Sequence, residues 1–156
     1  MRVNQMTLTL DQASTIVDTA LAVGRKAAMM PLTVLVLDAG GHLVALKRED
    51  GSGILRVEVA MGKAYGALGM GSSSRALRDR LAERPTFVNA LAAASGGRFI
   101  AVPGGVLVRG DDNRAIGAVG ISGDTSEKDE YAAIEGIRAA GLKADPAEPD
   151  PNWDAG

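Results

Sequence analysis

The sequence predicts an α/β protein of the α+β kind, an antiparallel sheet of about five strands flanked by helices. Three observations carry this. Residues 32–37 (LTVLVL) and 42–47 (HLVALK) are short apolar runs around Asp38-Ala39-Gly40-Gly41, a turn by composition. Residues 106–109 and 115–121 flank Gly110-Asp111-Asp112-Asn113, a second hairpin turn. Strands joined by hairpins pair antiparallel, and the helical stretches lie outside the hairpins, so a doubly wound parallel sheet is excluded.

Thr9-Leu10-Asp11-Gln12 fits a capping box, with Thr9 as N-cap and Gln12 reaching back. Ala13, Ile16, Val17, Ala20, Leu21, Gly24, Ala27 and Ala28 follow at helical spacing, and Pro31 stops the helix. After the first hairpin, 48–53 is a polar loop. Ile54, Val57, Ala60, Met61, Ala64 and Leu68 then mark a second amphipathic helix. Gly62, Gly66 and Gly69 lie along its other side; each costs roughly 1 kcal/mol against alanine, so they imply close approach to another backbone, either across a subunit interface or within the monomer. Residues 71–74 break this helix and cap a third, 75–82. Pro85 and Thr86 open a fourth, 87–94. Residues 98–102 read as extended, and Pro103-Gly104-Gly105 is a break. The last helix starts near Ser126, with Asp129 three residues on, and Gly141 ends it. Residues 1–144 read as one domain. Residues 145–156 read as a Pro-rich C-terminal arm, either disordered or docked on a neighbouring subunit through Trp153.

The chain has 156 residues, the size of one domain. Hydrophobic residues make up 46% and charged residues 23%, which excludes a wholly disordered chain. A net charge of -2 gives no footprint for nucleic acid. There is no cysteine, so disulfides, thiolate catalysis and Cys-ligated metals are excluded. A single histidine excludes a multi-His metal centre, and no metal site is expected. No run is long enough to span a membrane, and the N-terminus has no apolar signal region. A cytoplasmic protein with no membrane partner is expected.

Polar residues gather at three places. The first hairpin and the following loop carry Asp38, His42, Arg48 and Asp50; the second helix carries Lys63 and Tyr65. Gly120-Ile121-Ser122-Gly123-Asp124-Thr125 runs from a strand into a helix. Bare amides at a helix start favour an anion, with Ser122 or Thr125 adding a hydroxyl and Gly123 allowing close approach. Arg48 or Lys63 would supply the countercharge, and Asp38, Asp50 or Tyr65 would act as acid or base. The bland readings are a turn former for Asp38, a packed or surface imidazole for His42 and a solvated helix lysine for Lys63. Glu127, Asp129 and Glu130 are acids expected in a helix's first turn. Gly120-Ile121-Ser122-Gly123-Asp124 is not a nucleophile elbow, because Asp124 stands where glycine is required.

The run 34–51 (VLVLDAGGHLVALKREDG), the segment 60–65 (AMGKAY), Pro103-Gly104-Gly105 and 116–124 (IGAVGISGD), followed by Asp129-Glu130, resemble the GlcG/HbpS family. That family includes the C-terminal part of PduO-type proteins, and the resemblance spans about residues 8–142. It implies a profilin-like sandwich, a dimer-based homo-oligomer and haem as a cofactor. Gly104 and Gly105 fall in the family's glycine pair, where many relatives continue with a proline that this chain lacks. Available haem ligands are His42, Tyr65, Tyr131 and six methionines. Propionates would meet Arg48 or Lys63.

Three functions follow as expectations. The first is an oligomeric ligand-binding protein of this family taking haem or a related anionic ligand. The second is an isomerase, lyase or hydrolase of a carboxylated metabolite. The third is a structural oligomer without a ligand of its own.

Overall fold

A computed structural model describes residues 6–156. The chain runs α1 (Leu10–Lys26), β1 (Thr33–Asp38), β2 (Leu43–Arg48), α2 (Arg56–Met70), α3 (Ser74–Arg80), α4 (Pro85–Ala94), β3 (Gly105–Arg109), β4 (Ala115–Ser122), α5 (Ser126–Ala139) and β5 (Lys143–Asp145). The five strands form one antiparallel sheet in the order β2-β1-β4-β3-β5. This is the expected class, with one strand exchanged. Residues 98–102 form no strand; β5, pairing with β3, supplies the fifth.

The capping box at Thr9 is complete. The Gln12 amide donates to Thr9 Oγ1, and the Thr9 amide donates to Gln12 Oε1, both at 3.1 Å. Alternation along β1 then divides the core. Val34 and Val36 pack with Ile16, Val17, Ile134 and Ile137 of α1 and α5. Leu35 and Leu37 pack with Ala60, Ala64 and Ala67 of α2 on the other face. A third, smaller cluster of Leu77, Leu81 and Phe99 lies under α3 and α4.

Helix α2 begins at Arg56, two residues after the apolar pattern starts; Leu55 is its N-cap, and Ile54 and Leu55 are both exposed. It lies almost directly on the sheet. A Cβ at Gly120 would strike the Ala60 carbonyl, and one at Gly105 the Lys63 carbonyl. Of the helix glycines, Gly62 receives Ile100 and Gly66 receives Phe99, so the close approach falls within the chain. Gly69 meets nothing within 4 Å.

The C-terminal arm packs on its own α5. Trp153 stacks on Tyr131 with ring centroids 3.6 Å apart and planes within 4°. Arg109 holds Asp145 at 2.7 Å, and Arg75 Nη2 donates to the Glu148 carbonyl at 2.7 Å. Arg138 pairs with Glu148 and also donates to the Ala147 carbonyl. Among the described residues no helix is long and apolar enough to cross a membrane.

Candidate functional site

At the β1–β2 turn, Asp38 Oδ1 accepts hydrogen bonds from the amides of Gly40 (3.0 Å) and His42 (2.9 Å). The His42 amide, helped by that of Gly40 and by the imidazole, holds the Asp38 carboxyl below its usual value against a smaller desolvation cost. His42 Nδ1 lies 3.3 Å from the same oxygen, while the imidazole side chain is 81% exposed. A carboxylate at Nδ1 fixes ring orientation and leaves Nε2 as the nitrogen free to meet a ligand.

Tyr65, from α2, faces this turn. Its ring lies where a Cβ on Gly41 would be, and Gly41 has φ +81°, so the turn demands glycine on both counts. Arg98 stands over the ring, its guanidinium carbon 3.9 Å from the centroid. Three depressions ring these residues. One of about 380 Å³ is bordered by Leu8, Asp38, Gly40, His42 and Ile116. One of about 150 Å³ lies between Gly40, Gly41, Tyr65 and Leu68. One of about 230 Å³ lies beyond Tyr65, between α2 and α4.

The other predicted residues lie at the opposite end of the sheet. Asp38 and Thr33 bound β1, five residues apart, roughly 17 Å at strand rise. Arg48, Thr33 and Ser122 form one register row there. Arg48 and Asp50 border a separate depression of about 430 Å³ beside the Arg25–Glu49 ion pair. Lys63 is buried. Its Nζ donates to the Ile121 carbonyl at 2.9 Å and to Asp129 Oδ2 at 3.1 Å. The two side chains are 2% and 1% exposed, and burial pushes the Lys63 ammonium down and the Asp129 carboxyl up.

Asp129 also takes the place that an anionic guest would fill. Its Oδ1 accepts from the Asp124 amide at 3.0 Å, and the nearby Gly123 amide also favours the charged carboxylate. Thr125, one residue before the expected start, is the N-cap of α5 and accepts from the Lys128 amide at 3.3 Å. The start of α5 and the Lys63 charge are thus engaged within the chain. Gly104 and Gly105 make room for Lys63 itself: a Cβ at Gly104 would meet its Nζ. Gly123 admits the Pro31 carbonyl.

The structure therefore joins Asp38, His42 and Tyr65, and separately joins Lys63, Gly104, Gly105, Ser122, Gly123 and Thr125. Sequence reasoning passed over two cations. Arg56 Nη1 donates to Ser122 Oγ at 3.0 Å, and Arg98 covers Tyr65. Arg98 gave no signal because 98–102 read as a strand. Among the described residues no group of three or more His, Cys, Asp or Glu is placed to hold a metal ion.

A family model described as haem-degrading protein HbpS-like matches residues 8–138. The chain belongs to the HbpS-like family. Solved structures agree with the HbpS-like fold. The crystal structure of HbpS is 25% identical, with TM-score 0.75, covering 88% of this chain and 92% of that one. A PduOC:haem complex has 24% identity and TM-score 0.77, covering 87% and 96%. The Klebsiella pneumoniae protein ORFY has 22% identity and TM-score 0.76, covering 90% and 96%. No curated protein sequence matches the chain.

Proposed function

We propose that this HbpS-like protein binds haem or a related anionic ligand beside the β1–β2 turn. The Asp38–His42 pair carries the reading. An exposed imidazole with Nδ1 held by a carboxylate is built to present Nε2 to iron. Tyr65 would supply an aromatic wall, and Arg98 the countercharge for a carboxylate. Membership of a family described as haem-degrading, and a fold shared with a haem complex, support this choice of ligand.

The three depressions, of about 380, 150 and 230 Å³, are each small or shallow for a porphyrin; typical ligand pockets run about 300–1,000 Å³. The porphyrin would rest along the turn with one face outward. A second copy of the chain is the natural cover for that face, in keeping with a dimer-based homo-oligomer. Haemin titration tests the reading. A saturable Soret band at one haem per chain is expected, lost in His42→Ala and weakened in Arg98→Ala. A titration that does not saturate, or one unchanged in His42→Ala, would reject it.

The same pair favours a second reading. A carboxylate-oriented imidazole is also a general base, suited to an enzyme acting on a carboxylated metabolite. Thermal-shift screening of small organic acids, repeated with His42→Ala, tests this. Stabilisation that is lost in the variant would support it, and no shift with any acid would remove it.

A further inference from the structure

We propose that the crevice between α2 and α4 binds a linear aliphatic monocarboxylate of about eight carbons, with Arg98 holding the carboxylate. Helix α4 reads PTFVNALAAA, the most apolar of the long helices, yet it buries none of its residues. Its Phe87, Val88 and Leu91 only lean on the small Leu77–Leu81–Phe99 cluster, apart from both faces of the sheet. Between it and α2 a slot of about 230 Å³ remains, walled by Gly66, Gly69, Met70, Leu91, Ala94 and Phe99. Its polar lining is Tyr65, Ser95 and Arg98, of which only Arg98 is charged, and apolar walls with one charge at the edge select a tail with a single charged headgroup.

Size and charge narrow the class. The volume equals about eight water volumes at ~30 Å³ each, which suits a chain of about eight heavy atoms. Arg98 borders the slot, exposed. Its Nε donates to the Ser95 carbonyl at 2.9 Å, it stacks on Tyr65, and no carboxylate pairs with it among the described residues. A planar guanidinium of this kind matches a carboxylate's two oxygens. Met70 is a flexible side chain that follows the shape of an alkyl tail. Gly69 keeps the helix wall open, because a Cβ there would meet nothing within 4 Å.

The slot shares Tyr65, Gly69 and Arg98 with the depressions around the haem reading but does not use His42, so the two fail separately at His42. Calorimetric titration with octanoate is the test. Saturable one-to-one binding is expected, with octanol at least tenfold weaker and Arg98→Ala at least tenfold weaker. Gly69→Leu fills the slot and should abolish binding without lowering the melting temperature, while His42→Ala should bind octanoate as the parent does. Absence of saturable octanoate binding overturns the proposal. So does an affinity that neither Gly69→Leu nor Arg98→Ala reduces. A protein that binds octanoate but gives no Soret band loses the haem reading and keeps this one.

Discussion

Lys63 Nζ and Asp129 Oδ2 lie 3.1 Å apart, joining helices on opposite faces of the sheet around its end. The ammonium passes beside Gly104, where any side chain would strike it. This pair fastens the two helical layers together.

Lys63→Met leaves the Asp129 carboxylate buried without its cation. Removing one partner of a buried pair costs about 3–5 kcal/mol. Urea unfolding should show a loss of this order for Lys63→Met and for Asp129→Asn. The double variant should lose less than the sum, because the two sites are coupled.

Asp124 sets a pH dependence. Burial pulls its carboxyl upward, but the amides of Met30 and Thr125 and the Lys128 ammonium outweigh burial and hold it below its usual value of 3.8. A lowered folded-state value stabilises the fold above the unfolded value and stops doing so as pH falls through the folded one. Asp124→Asn should therefore be less stable than the parent at neutral pH. The difference should shrink as pH falls below 3.8, measured by denaturant unfolding along a pH series.

Two glycines should respond oppositely to alanine. At Gly120 the new Cβ meets the Ala60 carbonyl, which is helix backbone and cannot rotate away. A loss of about 1–3 kcal/mol is expected from overpacking. At Gly69 the Cβ meets open space within a helix, so alanine should gain about 1 kcal/mol. Thermal unfolding of the two variants, side by side, checks both signs.

Trp153 reports on the arm. Its stack on Tyr131 contributes about 0.5–1.5 kcal/mol beyond buried area. Tyr131→Ala should shift the fluorescence of this single tryptophan to longer wavelength and lower the melting temperature. An unshifted spectrum would mean that the ring does not dock there in solution.

Helix α1 and the two hairpins could be read because each is written locally: a complete capping box, β-branched runs and turn residues. Strand β5 could not, since Lys143, Ala144 and Asp145 show no pattern and pair only because β3 offers an edge. Residues 98–102 looked like a strand because Phe99 and Ile100 are apolar. They are apolar to fill the places left by Gly66 and Gly62. The candidate site was half legible. Asp38 and His42 are four residues apart, and Tyr65 meets them through the seating of α2. That Lys63 is occupied by Asp129 depends on a contact spanning 66 residues, which no local spacing announces.

The bare seating of α2 on Gly105 and Gly120 limits how this protein can yield. With peptide resting on peptide, no rotamers intervene to absorb a slip between layers. The helix carrying Tyr65 is keyed in place, like a shaft on a flat. Any give that a guest requires must come from the thinly anchored α4 side, so selectivity can be retuned there without disturbing the frame.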